Sequence, residues 1–177
     1  MASIYTIGHS TRPLGDLIAT LQTHHHIRTL VDIRAFPMSR RFPHFNRESL
    51  QEELPKLGID YVWMKDLGGR RNKQRDDSPN IALRNPAFRN YADYMLTTQF
   101  QKAAEGVVRL ADQAPTAIMC AERVYFRCHR MLVSDYFTLH GHDVLHIDDA
   151  KPPCPHKVME EARLVEDEVI YHGDRLF

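Results

Sequence analysis

The feature that most restricts how this chain folds is the alternation of short β-prone runs with amphipathic helical stretches. Residues 3–7, 29–33, 59–64, 116–119 and 144–147 are apolar runs of strand length. Helical spacing fills the gaps. Leu14, Leu17, Ile18 and Leu21 follow Pro13, which suits a first turn. Residues 48–57 form an amphipathic stretch closed by Gly58, and 129–139 one closed by Gly141. A longer helical pattern covers 88 to about 113, with a break near 96–98. Such alternation implies right-handed crossovers and a mainly parallel sheet. The expected fold is therefore a single α/β domain over residues 1–177, with about five strands flanked by helices. Its core spans 3–150, and the tail, 151–177, is expected to hold a helix from about residue 158 and an extended end.

Length and composition narrow the function classes. A chain of 177 residues can build one core without disulfides or structural metal. Three cysteines read as reduced thiols in a cytoplasmic protein. No apolar run approaches the roughly 18 residues of a membrane span, and the first residues read as a strand rather than a signal peptide. Formal net charge is zero, so global charge points to no particular partner.

The polar residues are not scattered. Gly8, His9 and Ser10 follow the first strand; Asp32 and Arg34 close the second; Asp66, Gly68, Gly69 and Arg70 follow the third. Cys120 and Glu122 follow the fourth, Cys128, His129 and Arg130 open the helix after it, and Asp148 ends the fifth. In open parallel sheets, ligands bind outside the carboxyl ends of the strands. All five clusters are expected at that edge, around one cleft.

These same residues carry a resemblance. The Tyr5-Thr6-Ile7-Gly8-His9-Ser10 opening, Asp32-Ile33-Arg34 with Pro37 and Ser39, Leu67-Gly68-Gly69, and Cys120-Ala121-Glu122 followed by Cys128-His129-Arg130 are similar to the family catalogued as domain of unknown function 488. The resemblance spans about residues 3–150. It implies an α/β fold with a shared site and carries no assigned activity.

Charge suggests the ligand. Segments 34–47, 65–75 and 121–130 contain twelve of the 23 Lys and Arg residues, with only Asp66 and Glu122 as acids among them. Phe36, Phe42, Phe45, Tyr125 and Phe126 are interleaved there. Arginines beside aromatic rings suit a nucleic acid or a nucleotide. A charged, solvated loop surface would give the same pattern. The expected binding residues are Ser10, Arg34, Arg40, Arg41, Phe42, Phe45, Gly68, Gly69, Arg70, Tyr125, His129 and Arg130.

Two chemistries are open. In the favoured one, Asp32 or Glu122 acts as general base with His9 assisting, in a hydrolase or transferase cleaving or modifying a base or sugar, as in DNA repair. Either carboxylate would serve equally well as an ion-pair partner for an arginine. In the other, Cys128, at a helix N-terminus beside His129 and Arg130, is a nucleophile acting on a small anionic substrate. A non-catalytic module that binds an anionic partner is the third reading. Cys120, Cys128 and His129 lack tight zinc-site spacing, so neither metal nor cofactor is expected.

Overall fold

In the computed structural model, residues 1–173 are described, and five parallel strands order themselves as β3-β2-β4-β1-β5. They are β1 (Ser3–Gly8), β2 (Thr29–Asp32), β3 (Asp60–Trp63), β4 (Thr116–Cys120) and β5 (Asp143–Ile147). A short antiparallel strand, β6 (Cys154–Pro155), adds to the far side of β5. The sheet is buried on both faces because successive apolar residues point to opposite sides. Leu30, Ala117 and Met119 face one core together with Ile7, whereas Val31 and Ile118 face the other together with Ile4.

Helix α1 (Leu14–Ile18), extended by a π-helical turn over Ala19–His24, and α2 (Arg47–Lys56) supply Leu17, Leu21, Leu50 and Leu54 to the first core. Helices α3 (Pro86–Met95), α4 (Thr98–Gln113) and α5 (Arg130–Leu139) supply Tyr91, Phe100, Val107, Leu132 and Phe137 to the second. The break expected near 96–98 separates α3 from α4. Thr97 makes it, its side chain accepting the Phe100 N–H as an N-cap. Among the described residues no helix is long and apolar enough to cross a membrane.

The tail corrects one expectation. From Ala162 it is a hairpin rather than a helix, β7 (Ala162–Val165) pairing with β8 (Glu168–Tyr171). Both turn residues, Glu166 and Asp167, adopt positive φ (48° and 68°), the backbone a two-residue hairpin turn requires. Ala162, Val169 and Tyr171 are buried against the second core, the last two by the period-two alternation of β8. Residues 174–177, also within that expectation, lie outside the described residues.

Strand order decides where the loops open. From β1 the chain passes to α1 on one face; from β4, its neighbour, it passes to α5 on the other. The two loops therefore part between β1 and β4, which opens a crevice at their carboxyl ends. Below that parting the backbones stay in contact. His9 donates its N–H to the Cys120 carbonyl (2.9 Å) and Ser10 to that of Ala121 (3.0 Å). A Cβ on Gly8 would stand 1.9 Å from the Glu122 carbonyl oxygen, so only glycine fits. Gly8→Ala is expected to cost about 3 kcal/mol or more, read as a lowered urea midpoint.

Candidate active site

The helix after β4 begins by presenting a thiol. Cys128 immediately precedes His129, the N-cap of α5, and its Sγ accepts the Arg130 N–H at 3.4 Å. Cys120, at the end of β4, brings its own Sγ to 3.1 Å. A hydrogen bond from the Cys120 thiol lowers the Cys128 pKa to about 6; burial opposes this, and the Arg130 charge and N–H add to it. The Cys120 thiol is pushed well up, first by its bond to Cys128 and then by burial. One sulfur thus keeps its proton so that the other can lose it.

Arg130 is buried, with 1% of its surface exposed. It donates to the main-chain oxygens of Glu122 (2.6 Å) and Arg123 (3.0 Å) and to Thr6 Oγ1 (3.2 Å). Its Nε has no partner among the described residues. Thr6 leads into a buried chain. Its Oγ1 lies 2.6 Å from His146 Nδ1, His146 Nε2 lies 2.9 Å from His156 Nδ1, and His156 Nε2 lies 2.7 Å from Asp135 Oδ1. The chain thus runs from the Arg130 guanidinium at one end to the Asp135 side chain at the other. Asp135 also accepts the Tyr171 hydroxyl (2.9 Å) and the Met159 N–H (3.1 Å). None of Thr6, Asp135 or His146 figured among the expected site residues. Their only trace in the sequence is polarity inside apolar elements.

On the far side of the crevice, Arg34 is locked in place. Its Nε and NH2 meet the two Asp32 oxygens at 2.8 and 2.6 Å, and NH2 also donates to the Phe45 carbonyl (2.7 Å). The Tyr61 hydroxyl donates to Asp32 as well. Asp32 is fully buried and both its oxygens are engaged, which is the arrangement of a structural ion pair. Arg34 NH1 lies 3.2 Å from His9 Nε2. An arginine only donates, so His9 Nε2 accepts and Nδ1–H donates to the Ser10 carbonyl (2.8 Å). Burial, above all, takes the His9 pKa down to about 4. His9 stacks on the buried Phe45 ring, with centroids 4.3 Å apart.

The open space lies between these two walls. A cavity of about 490 Å³ is lined by Arg34, Gly69, Arg70, Cys120, Glu122 and Cys128, with His129, Tyr91 and the exposed Phe36 and Met38 around it. A second hollow of about 330 Å³ shares Arg34, Phe36, Met38 and Glu122 with it and adds His9, Ser10 and Phe42. His129 donates from Nε2 to the Ile33 carbonyl (3.0 Å) and is held near pKa 4, chiefly by burial. A Cβ at Gly69 would come within 2.4 Å of its Nδ1, so Gly69 makes room for the ring. Among the expected binding residues, Arg40 and Arg41 are exposed and line neither hollow; Arg41 sits over Phe42, 5.3 Å from the ring centroid. Gly68 packs against Ala35. Tyr125 stacks on His146 at 3.6 Å, outside both hollows. Glu122 is exposed, with Oε1 accepting the Val124 N–H (3.3 Å). Among the described residues no three His, Cys, Asp or Glu side chains are arranged to hold a metal ion.

Two outcomes follow from this geometry. Asp32→Asn removes one partner of a buried pair and is expected to cost about 3 kcal/mol or more of unfolding free energy, a fold-wide effect that urea titration reads directly. His9 and His129 at about 4, and His146 at about 3, all titrate below the 6.5 of an unfolded histidine. The unfolded chain therefore binds more protons in that window, and stability present above pH 6.5 is lost as the pH falls towards 4. In urea titrations between pH 6 and 4.5, His9→Gln is expected to flatten the decline by up to about 1.4 kcal/mol per pH unit.

No curated protein and no solved structure matches this chain at a significant level. The family model described as domain of unknown function DUF488 matches residues 14–137, a span that holds Asp32–Arg34, Gly68–Gly69 and the Cys120–Arg130 cluster. With well over half of its length matched, the chain belongs to the DUF488 family.

Proposed function

We propose that the chain is a cysteine-dependent enzyme in which Cys128 attacks a small anionic substrate held in the cleft between Arg34 and Arg70. The observation that carries this reading is the Cys128 sulfur itself. It lines the cavity, accepts hydrogen bonds from Cys120 and the Arg130 N–H, and sits beside a buried cation. A thiolate so stabilised is populated near neutral pH, where an ordinary thiol is almost wholly protonated. The substrate's negative charge would meet Arg70, which is exposed at the cavity.

A nucleotide or nucleic acid fits as the anion because the rim pairs cations with apolar faces. Phe36 and Met38 are 67% and 80% exposed, and Arg70 lies over the Phe36 ring, 5.7 Å from its centroid. Stacking rings beside arginines suit an unpaired base and its phosphate. Carboxylate chemistry has less to work with. Asp32 has no free oxygen, so Glu122 is left as the accessible carboxylate of the two.

Alkylation tests the reading without knowledge of the natural substrate. Cys128 is expected to react with a midpoint near pH 6, against about 8.5 for a free thiol. Relative to glutathione it should favour iodoacetate over iodoacetamide, and Arg70→Glu should reduce that preference severalfold. Protection by a single-stranded oligonucleotide or a nucleoside monophosphate, and not by inorganic phosphate, would assign the anion to the nucleotide class. A midpoint near 8.5, or no preference for the anionic reagent, would overturn the proposal.

A further inference from the structure

The second sulfur has a place of its own in the chemistry. A nucleophilic cysteine needs a base or a cation beside it, and Arg130 supplies the cation. It does not need another thiol at 3.1 Å, yet Cys120 is there, 3% exposed and facing the same cavity. Both cysteines are free. A disulfide requires the two sulfurs to close to about 2.05 Å, so a contraction of roughly 1 Å would join them. Cys120 ends a central strand, and Cys128 stands at the far end of the loop over residues 121–127 that returns to it. Cys154, exposed on β6, lies outside the cavity.

We propose that Cys128 and Cys120 are the two halves of a hydroperoxide-reducing site, in which Cys128 takes up the oxygen and Cys120 closes the disulfide. The proposal rests on Cys128 being the reactive thiolate of the cleft, and adds an activity to it. In the first step the Cys128 sulfur attacks the terminal oxygen of ROOH. An S–O bond forms, the O–O bond breaks, and the departing RO⁻ takes a proton from water to leave as ROH. Sulfur is oxidised by two electrons and the peroxide reduced by two, giving Cys128–SOH. In the second step the Cys120 sulfur attacks Cys128, the S–S bond forms, and hydroxide leaves with the Cys120 proton as water. An external thiol returns the disulfide to the dithiol. Arg130, with its charge against Cys128, stabilises the thiolate before attack.

Hydrogen peroxide is a sufficient probe. One equivalent added to the reduced chain at pH 7 is expected to lower the thiol count from three to one and to yield a Cys120–Cys128 cross-linked peptide. Dithiothreitol should reverse it. The reaction should run up to about thirtyfold faster than with free cysteine, the ratio of thiolate fractions at pH 7. In Cys120→Ala, Cys128 should stop at the sulfenate and be trapped by dimedone; Cys154→Ser should still form the Cys120–Cys128 cross-link. Peptide mapping of the unaltered chain does not depend on either variant folding. If Cys128 proceeds to sulfinate while Cys120 remains free to alkylate, or if peroxide leaves all three thiols intact, the inference falls. In those cases low-pH alkylation by iodoacetate would still uphold the nucleophile reading. Loss of that alkylation as well would remove both.

Discussion

Taking a guanidinium out of water costs several kcal/mol unless its charge and its N–H groups are met, and Arg130 is buried almost completely at the first turn of α5. Main-chain oxygens of Glu122 and Arg123 meet part of that demand, and Thr6 on β1 meets another. Each of these contacts also fixes something else. The carbonyl contacts hold the loop after β4 in the shape that returns Cys128 to Cys120. The Thr6 contact joins that loop to the neighbouring strand and, through His146 and His156, to Asp135 on the same helix as Arg130. The charge on Arg130 then serves the Cys128 sulfur at no further desolvation cost. Without the cation, the Glu122 and Arg123 carbonyls would lose their shared donor and the loop its link to Thr6.

The second constraint is steric. Parallel strands that send their connections to opposite faces must part somewhere, and here β1 and β4 part only after Gly8 has passed against the Glu122 carbonyl. Because a side chain at Gly8 would block that approach, the main-chain bonds from His9 and Ser10 to Cys120 and Ala121 depend on it. Those bonds align the His9–Arg34–Asp32 wall opposite the Cys120–Cys128 wall. The crevice is therefore a consequence of strand order, and its width a consequence of one missing Cβ.

The sequence groups its polar residues at one edge of the sheet, and the structure brings His9, Arg34, Cys120, Glu122 and Cys128 together around two adjoining hollows there, but the sequence could not rank them. Asp32 and Cys128 both read as candidates because each is a reactive residue type at a strand end or helix start. What separates them is occupancy. Arg34 and Tyr61 take both Asp32 oxygens, while the Cys128 sulfur receives hydrogen bonds and still faces the cavity. His9 is occupied in the same way, since its accepting nitrogen is turned to Arg34 and burial keeps the ring neutral. Arg40 and Arg41 looked equivalent to Arg34 and Arg70 in a list of charges, and only the course of the 34–47 loop sets them apart.

By itself the sequence determined the elements and their order in the chain. β-branched runs of strand length, apolar residues at helical spacing, Pro13 before α1 and the glycines after α2 and α5 are local signals whose physics does not depend on distant residues. It also determined that the polar clusters share one edge, because alternating strands and helices force parallel pairing. The tertiary structure decided the rest. The placing of β4 between β1 and β2, the 3.1 Å meeting of Cys120 and Cys128, and the chain from Thr6 to Asp135 join residues far apart in sequence. The hairpin at 162–171 belongs to the same group, since Ala162 and Tyr171 become strand residues by packing against the core rather than by local preference. Local propensity acts over a few residues, whereas hydrogen-bond partners and neighbouring charges are set by whichever segments the fold brings together.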